Sequence, residues 1–87
     1  MPIVYIPAAL RKYSNDVRKL EVAATTIREV VDQLEANFPG IKDRLLEKEQ
    51  LRPGIAVAID SRISSHGMVE KVAPESEVHF VPSVSGG

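Results

Sequence analysis

At 87 residues the chain is one small domain, large enough for a single core and too small for two. Hydrophobic residues make up 44% and charged residues 26%, and the formal charge of −1 argues against non-specific binding to nucleic acid or membrane surfaces. The absence of cysteine excludes a disulfide framework, a cysteine nucleophile and a thiolate metal site.

Met1-Pro2-Ile3-Val4-Tyr5 lacks the basic segment and long apolar run of a signal peptide, and no apolar stretch approaches the ~20 residues of a membrane span. The expectation is a cytoplasmic domain. Ile3 to Ile6 is a short β-rich run closed by Pro7, with Val4 and Ile6 facing inward and Leu10 following them into the core. Ala8 to Asp16 connects it to a second strand, and Ser14-Asn15-Asp16 supplies turn chemistry. From Val17 to Val22 the pattern alternates, with Leu20 and Val22 in and Lys19 and Glu21 out.

Thr26-Ile27-Arg28-Glu29 matches a capping box, with Thr26 as N-cap. Behind it Ile27, Val30, Val31, Leu34 and Phe38 form one apolar stripe, which predicts an amphipathic helix of about three turns. Phe38-Pro39-Gly40 stops it. Ile41, Leu45 and Leu46 predict a short second helix, followed by the solvated run Glu47-Lys48-Glu49 and a loop at Arg52-Pro53-Gly54. Ile55 to Ile59 is a strand with Ile55, Val57 and Ile59 on one face; Asp60-Ser61-Arg62 is a turn and Ile63 starts a returning strand. Val69 and Val72 should tuck an irregular turn under the sheet. Glu77 to Val81 is the last strand, with Val78 and Phe80 inward and His79 and Val81 outward.

The order β-β-α-β-β with a single amphipathic helix predicts a two-layer α+β domain, its last strand inside the sheet beside the first. Residues 1–82 form the domain. Residues 83–87 form an extended, flexible C-terminal tail, released by Pro82, which has no N–H to give to a ladder. The tail ends on Gly86-Gly87, which leaves the terminal carboxylate sterically bare and lets the backbone enter a slot too narrow for any Cβ.

Val81-Pro82-Ser83-Val84-Ser85-Gly86-Gly87 at the end of such a domain resembles the ubiquitin-like β-grasp sulfur carriers of the MoaD/ThiS family. Leu34 to Leu45 and the segment from Ile6 to Arg11 are similar to the longer members, among them the cysteine-synthesis carrier and the small subunit of molybdopterin synthase. The resemblance implies a β-grasp fold, with a mixed sheet of about 4–5 strands on one long helix. It also implies that Gly87 is adenylated by a separate, ATP-using activating enzyme and becomes a thiocarboxylate. A sulfur-using synthase would then receive the tail Pro82, Ser83, Val84, Ser85, Gly86 and Gly87 in its active site. The chain itself would be no enzyme, would bind no cofactor or metal, and would be a monomer alone and a hetero-complex in function.

Rival chemistry is thin. His66 and His79 are the only histidines, and no cysteine supports them in a zinc site. His66 fits a solvated loop; His79 and Val81 fit an outward docking face. Ser61, Ser64 and Ser65 lack a triad or nucleophile-elbow context. Arg11, Lys12, Arg18 and Lys19 cluster on the first hairpin, where charges steer a partner or keep an edge soluble. Two other functions share the fold: a protein modifier conjugated through Gly87 to lysines, and a β-grasp interaction module with an inert tail.

Overall fold

The structure, a computed structural model, describes residues 1–82; the tail from Ser83 to Gly87, with the roles expected of it, lies outside the described residues. The chain opens with strand β1 (Ile3–Tyr5), a 3-10 helix over Ala8–Tyr13 and strand β2 (Lys19–Glu21). Between the last two, Asn15 and Asp16 both take left-handed backbone angles, which short polar side chains tolerate. Helix α1 (Ile27–Asn37) follows, then a four-residue helix α2 (Lys42–Leu45), and a small hairpin of β3 (Leu46–Glu47) and β4 (Gln50–Leu51). Strands β5 (Ile55–Ile59), β6 (Arg62–Ile63) and β7 (Glu77–Pro82) complete the chain, with a 3-10 turn at Gly67–Val69 before β7.

Five strands form one mixed sheet in the order β2-β1-β7-β5-β6. The last strand does lie inside it, parallel to β1 and antiparallel to β5. One face is apolar by alternation: Val4, Ile6, Val57, Ile59, Val78 and Phe80 are all buried. Onto this face α1 lays its stripe of Ile27, Val30, Val31 and Leu34, each fully buried. Ile41, Leu45, Leu46, Met68 and Val72 close the ends of the same core.

The helix start is capped as its sequence dictates, with one difference. The Glu29 N–H donates to Thr26 Oγ1 at 3.3 Å, but the Glu29 carboxylate reaches the N–H and hydroxyl of Thr25, at 2.7 and 2.9 Å. Thr26 is bridged to Lys71 and its backbone is extended on entry to the helix. At the far end Glu35 bends back over the turn and accepts from the N–H groups of Gly40 and Lys42, at 3.1 and 2.9 Å. Gly40 stands at φ 102°, an angle that favours glycine, so the turn depends on that residue.

Three expectations need correction. Leu46 is not helical: it opens β3, and the polar run after it turns tightly, with Lys48 and Glu49 at φ 54° and 67°. That geometry is a two-residue hairpin turn, and without Asn-Gly or Asp-Gly the sequence does not advertise it. Val69 is exposed and Met68 is buried in its place, because successive residues of a 3-10 turn point about a third of a revolution apart. Leu20 is only half-buried, since β2 is an edge strand that the helix does not fully cover.

Candidate docking face and tail exit

Strand β7 positions both halves of the candidate site. It carries the outward side chains of one sheet face and runs to Pro82, the last described residue. Pro82 is still opposite Ile55 in the ladder, so the sheet holds the chain up to that point rather than releasing it earlier.

The register of the sheet places the outward residues in rows. Glu21, Ile3 and Glu77 make one row across β2, β1 and β7. Lys19, Tyr5, His79, Ala58 and Ile63 make the next, spanning all five strands. Val81 and Ala56 stand beyond it, toward the end of β7. The face therefore grades from acidic, through aromatic, to apolar beside the exit.

Tyr5 and His79 lie in the middle of this face. Their rings stack with centroids 4.1 Å apart and 7° between planes, and the Lys19 ammonium lies 5.9 Å from the Tyr5 centroid. His79 Nε2 is 3.9 Å from the Glu77 carboxylate. Ile63, at the β6 edge, is 61% exposed, the largest apolar group offered at that side of the face. His79 and Val81 thus share the face expected of them. Tyr5 and Ile63 were missed, although the inward setting of Val4 and Ile6 already turns Tyr5 outward.

Val81 also lines an apolar groove of about 180 Å³, with Pro7, Leu10, Leu45, Ile55 and Phe80. Arg18 and Lys19 are exposed, just before and at the start of the edge strand β2. Lys12 and Arg44 both sit over the Tyr13 ring, at 5.4 and 5.0 Å from its centroid. These ring contacts occupy part of the basic cluster on the first hairpin.

His66 occupies an exposed loop, as expected, on the rim of a separate cleft of about 440 Å³ that also holds Arg28, Lys48 and Val69. Glu70 accepts from the Ser64 hydroxyl at 2.6 Å and meets His66 Nδ1 at 3.1 Å. Both partners stabilise the carboxylate, Ser64 more than His66, and hold Glu70 below the ordinary glutamate range. Ser64 and His66 both point to the acid rather than to each other, so no nucleophile–base pair exists here. Among the described residues, no group of three or more His, Asp or Glu could hold a metal ion, and no helix is long and apolar enough to cross a membrane.

Comparison with known proteins gives a consistent picture. The chain is 30% identical over 91 residues to the sulfur carrier protein CysO of Mycobacterium tuberculosis, covering 97% of this chain and 96% of the relative. Its fold matches CysO in the crystal structure of the Amycolatopsis orientalis BexX/CysO complex, with a TM-score of 0.90, 29% identity and complete coverage of both chains. The crystal structure of M. tuberculosis CysO matches with a TM-score of 0.87 at 25% identity, over 97% of this chain and 100% of that one. The solution structure of small archaeal modifier protein 1 from Methanosarcina acetivorans shares the fold at 23% identity, with a TM-score of 0.79 over 99% and 95% of the two chains. The sheet and helix are those of a ubiquitin-like β-grasp domain. The profile described as the ThiS family matches residues 4–87, and this chain belongs to that family.

Proposed function

We propose that this protein is a sulfur carrier whose C-terminal Gly87 is the point of attachment, and that it serves other enzymes as a protein co-substrate. The carboxylate of Gly87 attacks the α-phosphate of ATP on a separate adenylating enzyme and displaces pyrophosphate. A sulfur nucleophile then displaces AMP from the acyl-adenylate and leaves a thiocarboxylate. A carboxylate is a poor electrophile and adenylation gives it a leaving group. The chain therefore needs no base, metal or nucleotide site of its own, and ATP is the cofactor of its activating partner.

The observation that carries this reading is the family relationship over nearly the whole chain, with relatives named as sulfur carrier proteins. The fold gives it a physical basis. A central strand flanked on both sides ends at Pro82, which is still paired in the sheet five residues before Gly87, so Ser83, Val84, Ser85, Gly86 and Gly87, rather than the whole run from Pro82, would reach into a partner's active site from a rigid base. His79 and Val81, with Tyr5 and Ile63, form the face on which such a partner docks. The sulfur goes to cysteine synthesis in the reading closest to the CysO relatives, and to a molybdopterin-type synthase in the alternative.

The test is co-expression with the adenylating enzyme and a sulfur source, followed by intact mass of the carrier. A species in which one sulfur replaces one oxygen supports the carrier. A ladder of lysine-linked adducts supports a protein modifier instead. If neither forms and removal of Gly86-Gly87 changes no partner interaction, the reading is wrong.

A further inference from the structure

The docking face has a polarity that the carrier reading does not require. Glu21 and Glu77 stand on either side of Ile3 in one row, two strands apart, which sets them about 10 Å from each other. Both are exposed, and among the described residues neither forms an ion pair with a lysine or arginine. Asp60 adds a third carboxylate beside them: its Oδ1 accepts from the Glu77 N–H at 2.9 Å, and its own N–H donates to the Glu77 carbonyl at 2.9 Å. Lys19 belongs to the next row, where its ammonium lies over Tyr5.

Three carboxylates therefore border the aromatic and apolar rows on the side away from Pro82. A border charge of this kind adds little to the stability of the free domain, but it selects and orients a partner. Strand β7 starts at Glu77, inside the acidic border, and ends at Pro82, so the gradient of charge points along the direction in which the chain leaves the sheet.

Resting on the carrier reading above, we propose that the adenylating enzyme meets this face with a surface that is apolar opposite Ala58, Ile63 and Val81 and basic opposite Glu21 and Glu77. The basic rim fixes which way round the sheet docks, and so aims the residues after Pro82 into the partner's active site. A partner docked the other way round would set its cations against apolar side chains and lose that pairing.

The probe is the purified adenylating enzyme of the same organism, with binding measured by calorimetry at low and high salt. The variant pair Glu21→Lys and Glu77→Lys should weaken binding about tenfold or more at low salt and recover part of the loss at high salt, the reverse of the wild-type salt dependence. The neutral pair Glu21→Gln and Glu77→Gln should fall between it and the wild type, with thermal unfolding unchanged in both. Wild-type affinity in the lysine pair, with Ile63→Asp clearly weaker, overturns the basic-rim inference and leaves the docking face standing. Wild-type affinity in both the lysine pair and Ile63→Asp overturns the docking face as well.

Discussion

The rings of Tyr5 and His79 lie 4.1 Å apart and nearly parallel, joined across the parallel pairing of β1 with β7. The contact links the first strand of the domain to the strand that carries the tail. Stacked aromatic pairs contribute about 0.5–1.5 kcal/mol beyond the area they bury. Tyr5→Ala and His79→Ala should each lower stability by about that amount, and the double variant by less than the sum. Urea denaturation of the four proteins measures this directly; strict additivity would mean that the stack contributes nothing of its own.

The core prediction concerns Leu34, fully buried in the stripe of α1 against the sheet. Leu34→Ala should cost about 2–5 kcal/mol. Total stability of a domain this size is about 5–10 kcal/mol, so the variant should lose a large share of it and unfold well below the wild-type midpoint. Circular dichroism during thermal unfolding tests it, and a midpoint within a few degrees of wild type would contradict the packing described.

At the helix start, Thr26→Ala removes the acceptor for the Glu29 N–H and should cost about 0.5–2 kcal/mol. Glu29→Gln should cost less, because an amide oxygen still accepts from Thr25 while its charge is lost. Reversal of that order in denaturant midpoints would show that the carboxylate, not the threonine hydroxyl, is the principal cap.

Three carboxylates make the fold acid-sensitive. Glu29 is held below its ordinary range by the Thr25 N–H and hydroxyl, Glu35 by the N–H groups of Lys42 and Gly40, and Glu70 by Ser64 and then His66. A carboxylate with a lowered folded value binds protons less readily in the folded than in the unfolded state. Its contribution is complete above the unfolded value, about 4.3, and is lost as pH falls through the folded one. Stability should decline below about pH 4.5, and Glu35→Gln should lessen the decline. A wild-type profile flat from pH 6 to 3 would contradict this.

Much of the architecture is legible in the residues because local chemistry and global packing agree there. The stripe from Ile27 to Leu34 buries where its period places it, and Val4, Val78 and Phe80 alternate inward as β-strands require. The β3–β4 hairpin is not legible, because Lys48 and Glu49 adopt left-handed angles with no glycine or asparagine to announce them. Met68 displaces Val69 because the phase of a 3-10 turn is set by the surrounding chain rather than by hydrophobicity. The candidate docking face is half legible. The outward alternation of His79 and Val81 is written in β7, whereas their partners Tyr5 and Ile63 become neighbours only through strand order, a long-range property.

The central claim is that Gly87 receives sulfur, and intact mass spectrometry tests it most directly. The chain should be incubated with its adenylating enzyme, ATP and a sulfide source, alongside a variant extended by one residue beyond Gly87. The account predicts that the wild type gains the mass of sulfur in place of oxygen, mapped to the C-terminal peptide. The extended variant should unfold at the same temperature and gain nothing. An unmodified wild-type C-terminus, or sulfur gained equally by the extended variant, would contradict it.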